Sequence, residues 1–152
     1  MDRTTIERRE RISLRGEAPS AYRAMAAFDR SIELDPSLRE LVKIRASQLN
    51  GCAYCIDLHT RQAREAGESE RRLYALAAWR ESPLFTERER AALELTDAIT
   101  RIGERGVPDA VYESAETQFA AAELANLMLA ITAINAWNRM AVSSGMVFDE
   151  SA

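Results

Sequence analysis

Almost nowhere does this chain keep up the alternation of apolar and polar residues that a half-buried strand requires. Its six glycines and four prolines fall between segments of helical period. The one exception is short, Arg11-Ile-Ser-Leu-Arg15, and is expected to be an extended arm. A first helix is expected over 20–34. Asp35-Pro36 supplies a cap and a first-turn proline for a second, which ends near Asn50-Gly51. The third runs from Cys52 to about Ala66 and stops at Gly67. Ser69 caps a fourth through Trp79, and Thr86 with Glu89 forms a capping box for a fifth that ends before Gly103. Pro108-Asp109 opens a sixth to about Phe119. The seventh, about Ala121 to Ser144, is apolar on most sides and should be central.

The expected architecture is all-α: a single-domain bundle of about seven helices over residues 17–152, preceded by an N-terminal arm over 1–16. A chain of 152 residues is long enough to bury one sizeable core. Net charge is −4, with acidic and basic residues interspersed, whereas nucleic-acid binding needs a concentrated basic face. Arginine dominates the basic residues, and Lys43 is the only lysine. The least charged stretch, Leu124 to Asn138, is 15 residues long with three asparagines, too short and polar to span a bilayer. The first ten residues are charged and lack the apolar core of a signal peptide, so a cytoplasmic setting is expected. There, a close cysteine pair is more often redox-active or metal-binding than a structural disulfide.

Both cysteines and the only histidine lie in one eight-residue window, Cys52-Ala-Tyr-Cys55-Ile-Asp-Leu-His59. At helical spacing the three share one face, and the two Cα atoms lie about 5 Å apart, close enough for a disulfide. The helix start favours a thiolate, and an imidazole one turn beyond Cys55 can accept its proton. Three chemistries fit: thiol redox cycling, two buried cysteines with a satisfied histidine, or zinc held by Cys52, Cys55, His59 and a carboxylate. Structural zinc usually draws on a second Cys/His pair, and this chain has none.

Glu40, then Leu-Val-Lys-Ile-Arg-Ala-Ser-Gln-Leu-Asn-Gly51, then the Cys52–His59 window, resembles the core motif of the AhpD-like alkylhydroperoxidases of the carboxymuconolactone decarboxylase superfamily. Trp79-Arg-Glu-Ser-Pro83, Phe85 to Ala92 and Ile134 to Arg139 resemble its short single-domain branch. The resemblance implies a helical subunit assembling into trimers or hexamers and reducing hydroperoxides through its cysteine pair. Cys55 then corresponds to the cysteine oxidised to sulfenic acid, Cys52 to the one closing the disulfide, and His59 with Glu40 to a proton relay. The reductant would be a dithiol, on a lipoyl protein or a disulfide reductase, with no bound cofactor or metal required. A thioredoxin-style order would make Cys52 the attacking thiol instead. Tyr54 stands where some members carry a histidine.

Helical periodicity by itself makes Glu40 a solvated surface residue, because it points away from the stripe Leu38, Leu41, Val42, Ala46 and Leu49. Arg45 lies within that stripe and needs a buried acceptor. Trp137, Asn135, Asn138 and Arg139 interrupt the most apolar helix and are expected to hydrogen-bond neighbouring helix ends. Rival readings are a decarboxylase-type member of the superfamily, which has no use for a dithiol, and a redox sensor without turnover.

Overall fold

Side-chain capping sets most of the helix starts. The computed structural model describes residues 9–148, and among these it contains eight α-helices, one short 3-10 turn and no strand. Ser13 begins α1 (Leu14–Glu17), its hydroxyl accepting from the Gly16 N–H at 3.1 Å. The second half of the segment expected to be extended is therefore a helical turn, because a serine cap gives the backbone a local partner. This turn is the eighth helix beyond the seven expected. Ahead of it, the Arg11 N–H donates to the Ser144 carbonyl at 2.8 Å. Residues 1–8, half of the expected arm, lie outside the described residues.

α2 (Pro19–Ser31) buries none of its residues completely. α3 (Pro36–Asn50) starts as anticipated, with the Asp35 carboxylate accepting from the Leu38 N–H at 3.0 Å. It ends at Gly51, whose φ of +64° is the left-handed cap that favours glycine. α4 (Ala53–Glu65) follows at once, with Cys52 as its cap residue. α5 (Glu70–Ala75) passes into a 3-10 turn over Leu76–Ala78. α6 (Glu87–Thr100) carries both halves of the Thr86/Glu89 capping box. α7 (Asp109–Gln118) and α8 (Ala121–Ser144) complete the fold. Gly145 after α8 has φ +73°, and a Cβ there would lie 3.1 Å from the Arg9 carbonyl, so glycine is doubly required.

α3 is the axis of the molecule. Leu41, Val42, Ile44 and Ala46 have no exposed surface, although they point in different directions around the helix. Leu38 and Val42 pack with Leu95, Leu127 and Ile131 of α6 and α8. Leu41 and Ile44 pack on another side with Leu73, Leu76, Trp79, Phe85 and Leu93. Burying each such aliphatic side chain contributes roughly 1.5–3 kcal/mol. The third cluster joins Ala46 to Ile134 and Ala141 of α8 and includes both cysteines. Arg45 meets its expected acceptor: Nε and Nη2 donate to the two oxygens of Asp97 on α6, at 2.7 and 3.0 Å. Among the described residues, no helix is long and apolar enough to cross a membrane.

Candidate active site

The start of α4 decides where the sulfurs go. Cys52 is not in the helix but caps it in an extended conformation (φ −90°, ψ 96°), so the helical-face placement applies to Cys55 and His59 only. The cap still brings the sulfurs together: Cys52 Sγ lies 2.6 Å from Cys55 Sγ and accepts from the Cys55 backbone N–H at 3.4 Å. Both thiols are free and buried.

The pair shares its charge unevenly. Cys52 is lowered to about 7, chiefly because the Cys55 side chain donates to it, with further donors overcoming the cost of burial. Cys55 is pushed up, first by its hydrogen bond to Cys52 and then by burial. The sulfur that carries the charge at rest is therefore the one at the helix cap. Its stabilisation of the fold is complete above the ordinary thiol range and is lost as pH falls through about 7. Titration of thiolate ultraviolet absorbance is expected to give a midpoint near 7, and Cys55→Ala should move it up towards the ordinary thiol value. An unmoved midpoint in Cys55→Ala would show that the two sulfurs do not share a proton.

Glu40 does not point to solvent. Its Oε2 lies 2.9 Å from His59 Nδ1, with side-chain exposures of 15% and 9% respectively. Periodicity misplaced it because α3 is covered on several sides, so a residue off the main apolar stripe still meets α4. His59 makes no direct hydrogen bond to either sulfur. It lies one turn beyond Cys55 on the same face of α4, with Glu40 at Nδ1 and Nε2 left for a ligand.

Cys55 and His59 open onto a cavity of about 200 Å³ whose aromatic walls are Tyr22, Tyr54 and Trp137. Tyr22 and Trp137 meet edge to face, ring centroids 5.4 Å apart. Burial first, then neighbouring negative charge, pushes the Tyr54 phenol up, so it stays a neutral donor. Asp29 also lines the cavity and takes the Lys43 ammonium on both oxygens at 3.0 Å. The lone lysine thus pins α2 to α3. Cys52 does not line the cavity and sits behind Cys55.

Trp137, expected to serve helix ends, instead forms a wall of this cavity. The asparagines do meet that expectation: Asn50, the last residue of α3, donates to Asn135 Oδ1 and Asn138 Oδ1, each at 2.9 Å. Arg139 is held within α8, donating to Asn135. Among the described residues, no three His, Cys, Asp or Glu side chains converge as metal ligands would. Sequence reasoning missed Tyr22, Tyr54 and Asp29 as cavity residues; three aromatics on separate helices leave no local signal.

Residues 17–98 match the model of the carboxymuconolactone decarboxylase family. The chain is 40% identical over 139 residues to the uncharacterized protein YdfG of Bacillus subtilis, covering 90% of this chain and 95% of that one. A solved structure from Agrobacterium tumefaciens, ATU0492, is a protein of unknown function put forward as the antioxidant defence protein AhpD. It superposes with a TM-score of 0.89 at 39% identity, over 93% of this chain and 99% of that one. An uncharacterized peroxidase-related protein from Silicibacter sp. TM1040 shares the fold, with a TM-score of 0.77 at 21% identity over 91% of this chain and 76% of that one.

Proposed function

The chain belongs to the carboxymuconolactone decarboxylase family, and on that premise we propose that it is an AhpD-like thiol peroxidase reducing organic hydroperoxides. The observation that carries the reading is the convergence of two free sulfurs 2.6 Å apart with a Glu40–His59 pair, Cys55 and His59 opening onto one aromatic cavity. A dithiol held that close has a use in oxidation and reduction and none in decarboxylation.

The proton balance of the cycle calls for one proton on the sulfur pair and one on His59, whose Nδ1 Glu40 holds. The proton between the sulfurs passes to Cys52, leaving the cavity-facing Cys55 as thiolate. Cys55 attacks the terminal peroxide oxygen: an S–O bond forms, the O–O bond breaks, and the departing alkoxide takes the proton of His59. Cys52 then gives its proton to His59 and attacks the sulfenic sulfur. The disulfide forms, and hydroxide leaves as water after taking that proton. An external dithiol returns two electrons and two protons by exchange, restoring the thiol, the thiolate and the imidazolium. Dihydrolipoamide on a protein, or a disulfide reductase, fits this role by chemistry. Assembly into trimers or hexamers belongs to the same proposal.

The order of the sulfurs pits access against charge. Cys55 lines the cavity, while Cys52 is the more readily ionised. Access governs attack on a bound peroxide, since proton exchange across a direct S–S contact is fast compared with breaking an O–O bond.

The test is consumption of cumene hydroperoxide by the wild type with several dithiol donors, following one alcohol per peroxide. Turnover is expected, and His59→Ala should slow it by about 10²–10⁴-fold, the usual share of a general acid–base group. Glu40→Gln should lose less and shift the pH profile. A single stoichiometric oxidation with every donor would overturn the peroxidase and leave a sensor.

A further inference from the structure

Asn138 has no exposed surface, so the hydrogen-bonding capacity of its carboxamide must be met inside the protein. Two bonds are accounted for: Oδ1 accepts from Asn50 Nδ2 and Nδ2 donates to Ser47 Oγ, each at 2.9 Å. The amide orientation follows from Ser47, whose single hydroxyl proton goes to the Lys43 carbonyl at 2.6 Å. Ser47 can therefore only accept from Asn138, and the –NH2 end must face it. An amide nitrogen has two N–H groups, so one is left.

The residues on either side of Asn138 along α8 point that N–H towards the sulfurs. Asn138 lies on the stripe of α8 between Ile134 and Ala141, and these two residues pack in one cluster with Cys52 and Cys55. We propose that Asn138 is the thiolate-stabilising residue of the sulfur pair, its second N–H turned to the sulfurs so that the reduced anion is favoured over the disulfide. Its side chain pulls both thiols down, in keeping with a donor that serves either sulfur. A disulfide offers the N–H no charged acceptor, so the contact favours the reduced form and makes the disulfide a stronger oxidant. Tyr22, Tyr54 and His59 share the cavity with Cys55, Glu40 stands behind His59, and the test retains all four.

This inference rests on the thiol-redox reading of the site, but its readouts need no peroxide. Thiolate titration and equilibrium with a glutathione redox buffer are measured on the wild type, Asn138→Leu, Asn138→Asp and Asn50→Ala. Asn138→Leu is expected to raise the thiolate midpoint above about 7 and to shift the equilibrium towards disulfide roughly tenfold, about 30 mV more negative for a two-electron couple. Asn138→Asp keeps the shape, places a carboxylate by the sulfurs and should shift both in the same direction. It decides the matter if the leucine variant does not fold. Asn50→Ala removes one anchor of the amide and should lower stability while leaving midpoint and potential near wild type. Unchanged values in the folded Asn138 variants, or an equal shift in Asn50→Ala, would overturn the assignment. Failure of the wild type to turn over peroxide would instead count against the peroxidase alone.

Discussion

Serine in place of either cysteine is expected to bring dithiol-dependent hydroperoxide turnover to background, a loss of more than about 10³-fold, the scale at which removal of a covalent nucleophile is felt. The two variants should fail differently. Cys52→Ser keeps the cavity-facing sulfur, so it should reduce one equivalent of peroxide and stall as a sulfenic acid that dimedone traps. Cys55→Ser keeps only the buried sulfur behind it and should give neither burst nor adduct. The converse pattern, a burst in Cys55→Ser and none in Cys52→Ser, would assign attack to the helix-cap sulfur and show that charge outweighs access. Residual turnover in both would place the chemistry elsewhere. Stopped-flow alcohol release and mass spectrometry of the adduct distinguish these outcomes.

The second large effect is on stability. The Arg45 and Asp97 side chains are only 9% and 6% exposed. Asp97 also accepts from Arg80 at 2.5 Å and from the Trp79 indole at 3.4 Å, while Arg45 has one further acceptor, the Ala77 carbonyl at 3.2 Å. Asp97→Ala leaves a buried guanidinium with that single carbonyl, a change that costs about 3–5 kcal/mol. Domains of this size are stable by only about 5–15 kcal/mol, so the variant should unfold at far lower denaturant. Arg45→Met with Asp97→Leu removes both charges at once and should be much milder. Arg80→Ala should cost little, since that side chain is half exposed. A loss below about 1 kcal/mol in Asp97→Ala would mean that water reaches the pair. Burial raises the Asp97 carboxyl, but hydrogen bonds and charge from Arg45 and Arg80 outweigh it and hold the group below the usual carboxylate range. The pair therefore supports the fold above the ordinary value near 3.9 and ceases to do so as pH falls through the lower folded value.

What the sequence made legible follows from how local each signal is. The starts of α3 and α6 rest on side chains within three residues of the backbone groups they satisfy, and both were placed from the sequence. The fourth expected helix ran through Trp79, whereas α5 ends at Ala75 before a 3-10 turn. The carbonyls that follow are taken by arginines from elsewhere: Ala77 by Arg45, and Trp79, Arg80 and Ser82 by Arg90. No local rule anticipates such capture. The CxxC-plus-histidine window was visible because three intervening residues fix the separation of Cys55 and His59 along one helix. Glu40 was legible only through the family motif, since its partner lies 19 residues away on another helix. Asn138 was read as structural, and its bonds to Asn50 and Ser47 are structural. Its place beside the sulfurs depends on how α8 crosses α4, which composition and periodicity do not encode.

α2 contributes Tyr22 and Asp29 to the cavity yet seals none of its own residues away from solvent. The sulfurs and the Glu40–His59 pair belong to α3 and to α4 with its cap residue, and α3 buries every position from Leu41 to Ser47. Selection can therefore redraw one wall of the cavity, and with it the shape of molecule admitted, while the reacting groups keep their spacing. A lineage built on this plan could diversify its diet without relearning its chemistry.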